Sequence, residues 1–194
     1  MESLRGAPAR REFERFAVEA IAGLLRTGYL VTSDLAEAED LVQETLLRTA
    51  KRWPSVRKMD YPVAYARRIL VNLALRGAHQ RARTDAEQNV TDTTPLETRE
   101  DQRVEQNLMA IDTRSEILWM LAKLPRRQRV VVVLRYFEDL SELEIADQLK
   151  WPLGTVKSTA SRALGQLRQL LEESPANDVA YLRQQIPLRK RSIT

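Results

Sequence analysis

Cysteine is absent from the 194 residues, which excludes disulfides and thiolate metal sites. Histidine occurs once, at His79, with no second imidazole to share a metal. No run of about eighteen apolar residues exists, the length that a membrane-spanning helix needs, so no membrane insertion is expected. The opening MESLRGAPARREFERF lacks the apolar core of a secretory signal, so a cytoplasmic location is expected. Glycine and proline are sparse and β-branched alternation is rare, which predicts an all-α chain. There is no Gly-rich phosphate cradle, nucleophile–base set or metal cluster, so no catalytic, cofactor or metal site is expected.

What is present is charge. Charged residues make up 30% of the chain, and the formal net charge is +4 with a pI near 9.6, which permits a polyanionic partner. The length suits one domain or two small ones.

Residues Met1 to Arg11 read as a loose basic arm. A first helix is predicted from about Arg11 to Leu30, with Phe13, Phe16, Ala17, Ala20, Ile21, Leu24 and Leu25 on one face. A second runs from about Asp34, its N-cap, to Trp53, burying Leu35, Ala38, Leu41, Val42, Leu46 and Ala50. Its other face shows Glu37, Asp40 and Glu44 with Gln43 beside them. That is either a solvated stripe or a docking face for a basic partner. The loop PSVRKMDY follows, and Asp60 and Pro62 announce a third helix burying Val63, Ala66, Ile69, Leu70, Leu73 and Ala74. Arg57, Lys58, Arg67, Arg68, Arg76, Arg81 and Arg83 lie close in sequence to Trp53, Tyr61 and Tyr65. Cations beside aromatics suit single-stranded nucleic acid, because phosphates pair with the cations and unstacked bases lie on the rings. Trp53 itself continues the apolar spacing and reads as a core anchor.

From Thr84 to Thr113 the pattern dissolves into an acidic, flexible linker by composition. A second helical domain then begins near Ser115 with Ile117, Leu118, Leu121 and Leu124. Leu124–Pro125 opens a helix from Arg126 to Phe137, with Val130, Val131, Val133, Leu134 and Phe137 as core. Ser141 and Glu144 form a capping box that opens a short helix burying Ile145, Ala146 and Leu149, which Trp151 and Pro152 break. A further helix carries Val156, Ala160, Ala163, Leu164, Leu167 and Leu171 inward, with Pro152 tolerable at its first position. Thr155, Lys157, Ser158, Thr159, Ser161 and Arg162 are assigned to its outward side. Two helices joined by a tight turn are a helix-turn-helix candidate, and these hydroxyls and cations suit phosphates and base edges. An ordinary amphipathic helix with a solvated basic face fits the same pattern. Pro175 ends this helix, and the tail 174–194 has no assigned role.

The words LPRRQRVVVVLRYFEDLS, EIADQL, GTVKS and SRALGQLR keep an order and spacing that resemble the C-terminal domain of ECF (extracytoplasmic function) sigma factors, in a form closest to an actinobacterial branch. AEAEDLVQETLLRTAKRW and YARRILVNLA resemble the N-terminal domain of the same family. Lys150 and Pro152 depart from it, standing where many relatives carry Gly and Ser. The resemblance implies two small helical domains, 1–83 and 114–173, joined by the linker 84–113. It implies polymerase docking, on the clamp coiled coil of the largest subunit, by Asp40, Gln43, Glu44, Leu47 and Arg48. It implies minus-ten recognition by Arg57, Lys58, Met59, Asp60 and Tyr61 in the loop, with Tyr65, Arg68 and Asn72 on the next helix. The helix-turn-helix would read the minus-thirty-five element, and its domain would dock the flap tip of the second-largest subunit. An anti-sigma protein, which holds most members inactive, becomes a candidate partner. The competing expectation is a self-sufficient helix-turn-helix regulator that works without polymerase. It leaves the acidic stripe and the basic aromatic segment unexplained.

Overall fold

In the computed structural model, residues 7–88 and 114–173 are described, with side chains for 8–77 and 117–172. They form α1 (Ala7–Thr32), α2 (Leu35–Lys51), α3 (Trp53–Val56), α4 (Pro62–Gln88), α5 (Arg114–Lys123), α6 (Arg126–Tyr136), α7 (Glu142–Leu149) and α8 (Leu153–Glu173). No strand occurs among the described residues. The chain divides into two units, one carrying α1–α4 and the other α5–α8.

In the first unit α1, α2 and α4 pack on one another, and α3 closes one end against α1 and α2. Helix α1 starts at Ala7, so the last residues of the expected loose arm are helical. It ends where Ser33 takes a positive φ of 58°, which breaks the helical path. Asp34 then caps α2 as expected, its carboxylate accepting from the Glu37 N–H at 2.8 Å. A Cβ added to Gly28 would meet the Ala38 Cβ at 3.2 Å, so this pair of small residues sets how closely α1 crosses α2. The α2 core positions are Ala38, Val42, Thr45 and Thr49, whereas Leu35, Leu41 and Leu46 are only half-buried. Thr49 satisfies its hydroxyl by donating to the Thr45 carbonyl at 2.8 Å, which lets a polar residue sit inside. Two further inward readings fail: Ile21 on α1 and Val63 on α4 are exposed, while Val71 and Leu75 further along α4 are buried.

Trp53 is core, as its spacing implies, but it belongs to α3 rather than to the end of α2. Its ring meets Phe13 edge-on at 5.3 Å and Phe16 at 4.9 Å. Helix α4 continues to Gln88, past the point where the apolar pattern thins. The rest of the expected linker, 89–113, and the tail 174–194 lie outside the described residues.

In the second unit α6 is the central helix. Val130, Val131, Val132, Val133 and Leu134 are all buried, so it has an apolar wall on every side and packs against both α7 and α8. Phe137, counted as core from its spacing, is the α6 C-cap and is exposed. Around α7 the capping box forms: the Ser141 N–H donates to the Glu144 carboxylate at 2.7 Å and the Glu144 N–H to the Ser141 hydroxyl at 3.2 Å. The Ser141 side chain and then its backbone N–H hold the Glu144 carboxyl below the ordinary carboxylate range. A depressed folded-state value means that this support is present above the ordinary range and is lost as pH falls through the depressed one.

The turn after α7 closes on Lys150 at φ 56°, in the left-handed region. The Trp151 N–H donates to the Ala146 carbonyl at 3.1 Å and the Lys150 N–H to Asp147 at 3.3 Å, the paired bonds of a Schellman cap. The Arg127 guanidinium lies 4.6 Å from the Trp151 ring and braces the turn from α6. Lys150 therefore carries a Cβ where glycine is strain-free. Lys150→Gly is expected to raise the unfolding free energy of this unit by about 1 kcal/mol, with no gain for Lys150→Ala. Urea unfolding of the two variants checks it. Pro152 does not take the first helical position either: its carbonyl accepts from Thr155 and Val156, so it caps α8 from outside.

Candidate nucleic-acid interface

Three surfaces carry the residues singled out in the sequence. On α2, Asp40, Gln43 and Leu47 recur at helical spacing and are exposed, with Leu47 at 57%. Glu44 lies on the same stripe and pairs with Arg48 at 2.6 Å. An exposed leucine set among polar residues gives this stripe an apolar contact point. Arg48 turns toward α4 and lines the cleft described below, so it stands at the edge of the stripe.

The second surface is the loop between α3 and α4. Arg57, Lys58, Met59, Asp60 and Tyr61 are all exposed, Tyr61 at 78%. Val56, fully buried, and the Met59 N–H to Val56 carbonyl bond of 3.0 Å hold the loop's root. The Arg57 guanidinium donates to Glu12 on α1 at 2.9 Å. Beside the loop a cleft of about 330 Å³ runs between α2 and α4, lined by Arg48, Lys51, Arg52, Tyr65, Ile69, Asn72, Leu73 and Arg76. Tyr65 and Asn72, seven apart on α4, share it; Arg68 lies outside its lining. Sequence reasoning placed Tyr65 and Asn72 together but assigned no role to Lys51 and Arg52, which reach the site from the other helix.

The third surface is α8. Lys157, Ser158, Ser161 and Arg162 are exposed and Thr155 is half-buried. Thr159 is not outward: it is 6% exposed. It stands three residues after buried Val156 and four before buried Ala163, inside the apolar stripe. The Ser158 hydroxyl donates to the Thr155 carbonyl at 3.1 Å and the Arg162 Nε to the Ser158 carbonyl at 3.2 Å. These bonds hold both side chains along the helix surface. No group of three or more residues able to hold a metal ion occurs among the described residues.

A helical unit with an exposed acidic stripe and a cation-lined cleft, joined in one chain to a capped helix-turn-helix, has the makeup of a DNA-reading protein that also docks a partner. Residues 18–84 match the family model for sigma-70 region 2, and residues 114–167 match the model for sigma-70 region 4. The chain is 36% identical to the RNA polymerase sigma-E factor of Streptomyces avermitilis, over 83% of this chain and 86% of the relative. It is 32% identical to the ECF RNA polymerase sigma factor SigL of Mycobacterium tuberculosis, over 80% of this chain and 86% of that one. Its fold is similar to that of the sigma factor RpoE, solved in complex with the anti-sigma factor NepR from Bartonella quintana. The TM-score is 0.61 at 22% identity, covering 84% of this chain and 98% of that chain. The chain belongs to the ECF sigma factors of RNA polymerase.

Proposed function

We propose that this protein binds core RNA polymerase, directs it to specific promoters and helps melt the minus-ten region. The region 2 and region 4 matches in one chain carry this reading. A self-sufficient regulator would leave the first of those matches without a purpose.

Residues 1–83 serve as the polymerase-docking and minus-ten domain, 84–113 as a linker, and 114–173 as the minus-thirty-five domain. Asp40, Gln43, Glu44 and Leu47 meet the polymerase clamp coiled coil, with Arg48 at the rim. The loop Arg57–Tyr61 receives an unpaired minus-ten base, and Tyr65, Arg68 and Asn72 stand beside it. The exposure of the loop over a buried root supports this, since an extruded base needs an open entrance and a firm floor. Capture of that base offsets part of the few kcal/mol that unpairing costs. On α8, Lys157 and Arg162 supply charge-assisted contacts to phosphate or guanine, and Thr155, Ser158 and Ser161 adjust base choice. Thr159 holds the helix in place from inside. The second domain also meets the polymerase flap tip. The protein works through binding energy, in the cytoplasm where polymerase acts, and no bond is made or broken by its own side chains. The described residues include no helix long and apolar enough to cross a membrane. An anti-sigma protein is a proposed inhibitor, in line with the complex in which the RpoE relative was solved.

Run-off transcription with purified core polymerase and a promoter library tests the whole reading. Protein-dependent RNA supports it, whereas no RNA together with tight duplex binding by the protein alone would favour the regulator. Asp40→Arg is expected to weaken core polymerase binding about tenfold without unfolding the first unit, because the reversed charge faces a basic partner. Normal affinity would remove Asp40 from the docking face. Lys157→Ala should lower duplex affinity across many sequences and flatten the logarithmic salt dependence by about 0.9, one phosphate's worth. An unchanged salt slope would show that Lys157 meets no phosphate.

A further inference from the structure

Phe137 and Leu143 stand on either side of the loop between α6 and α7, and both are exposed, Leu143 at 68%. A single exposed leucine needs no explanation, but this pair is mounted on a firm base. The Glu138 N–H donates to the Val133 carbonyl at 3.2 Å and the Leu140 N–H to the Leu134 carbonyl at 3.0 Å. The Arg135 guanidinium donates to the Leu140 carbonyl at 3.1 Å, and Asp139 makes the bend at φ 52°. Aspartate is among the few residues that enter this left-handed region readily. The box of Ser141 and Glu144 fixes the far end. A surface whose backbone is already ordered gives up little entropy when a segment docks on it.

The charge around the pair is negative. Glu144 is committed to Ser141, and Asp147 to Lys150 at 2.6 Å. Asp139 and Glu142 form no ion pair among the described residues. The occupant that fits is therefore apolar and cationic. The same patch on a second copy fits poorly, because it would set these carboxylates against their own kind.

The chain carries such an occupant. It continues for 21 residues past Glu173 and ends in IPLRKRSIT, with no acidic side chain after Asp178. Pro187 biases Ile186 toward an extended backbone, and in an extended segment Ile186 and Leu188 share one face. Arg189, Lys190 and Arg191 follow directly. The tail leaves from α8, in the same unit as the patch. Thirteen residues separate Glu173 from Ile186, a reach of about 40 Å when extended. Helix α8, 21 residues long, spans only about 32 Å, so the segment can return along its whole length. Such a tether holds the segment at roughly millimolar local concentration, enough for a modest contact to persist.

We infer that the C-terminal segment 186–191 docks on the loop between α6 and α7. Ile186 and Leu188 cover Phe137 and Leu143, and the three cations face Asp139 and Glu142. The tail is thereby a built-in occupant of the second unit, and any partner that approaches this surface must first displace it. The inference stands apart from the promoter reading.

Because the chain has no cysteine, Ser192→Cys gives a single site for a nitroxide spin label. In the isotope-labelled full chain, the amide signals of residues 137–143 should lose most of their intensity, while those of the first unit keep theirs. Three unlike variants should each restore the signals: Leu143→Ser, Asp139→Asn/Glu142→Gln, and Arg189→Gln/Lys190→Gln/Arg191→Gln. All three change exposed or half-exposed positions or the tail, and far-UV circular dichroism checks that each is folded. Weak broadening spread over the whole surface would overturn the docking. So would broadening centred elsewhere, such as the acidic stripe of α2, or broadening unchanged in the variants. Mixing spin-labelled chains that lack the isotope with isotope-labelled chains that lack the spin label tests the remaining source. Loss of the same signals in that mixture would place the tail on a second copy and overturn docking within one chain.

Discussion

Replacing Trp53 by alanine should cost the first unit about 3–5 kcal/mol, the range for emptying an aromatic site in a packed core. On a unit this size that lowers the thermal midpoint by roughly 15 °C or more. The ring is 3% exposed and is the point where α1 meets α3, through Phe13 and Phe16. Its Nε1–H has no hydrogen-bond partner among the described residues. Trp53→Phe therefore removes some volume but also a buried unpaired donor, and the two effects oppose each other. The phenylalanine variant should lose only about 1 kcal/mol. Equal losses for the two substitutions would mean that the ring's packing is not what holds this corner. The loop Arg57–Tyr61 springs from α3, so on the proposed reading the alanine variant should also lose promoter melting at temperatures where its helices persist. Thermal circular dichroism and permanganate footprinting of the open complex read the two effects separately.

Arg129→Ala should cost the second unit about 3 kcal/mol. Arg129 is 7% exposed at the start of α6. One of its terminal nitrogens donates to the Ala122 carbonyl at 2.8 Å and to the Leu124 carbonyl at 3.1 Å. These carbonyls lie at the C-terminal end of α5, where helix geometry provides no donors and a cation is favoured. Arg129→Met keeps most of the stem's volume and loses the donors. If methionine destabilises nearly as much as alanine in urea unfolding, the hydrogen bonds carry the effect; if it restores stability, the stem's packing does. Arg129→Lys should recover only part, since an ammonium lacks the planar fork.

Much of the fold follows from spacing alone. The Ser141–Glu144 box, the Asp34 cap and the inward faces of α7 and α8 could be read because each depends on residues within one or two turns of each other. The four valines of α6 favour strand by local preference, and tertiary burial on all sides overrides it. What could not be read depends on distant partners. Ile21 and Val63 are apolar and exposed, since apolarity permits burial without requiring it. Nothing in the run RRQR marks the third arginine as the buried one; the carbonyls that draw it in belong to another helix. Lys51 and Arg52 were passed over for the same reason, because periodicity tells which way a side chain points and not what lies across from it. Thr159 is the opposite case. Its position between Val156 and Ala163 carried the signal, and its hydroxyl chemistry outweighed that signal in the sequence reading.

The Glu12–Arg57 pair has a consequence for how ions are counted. A free cation such as Lys58 that meets a DNA phosphate displaces mobile counterions from the nucleic acid, and salt opposes it in full measure. Arg57 already has an anion of its own, held 2.9 Å away on α1. For it, meeting a phosphate is an exchange of one carboxylate for another anion, and the liberated Glu12 takes up cation from solution. On the proposed reading the salt titration of the minus-ten contact therefore undercounts the phosphates engaged, and Glu12→Gln would bring the count back up.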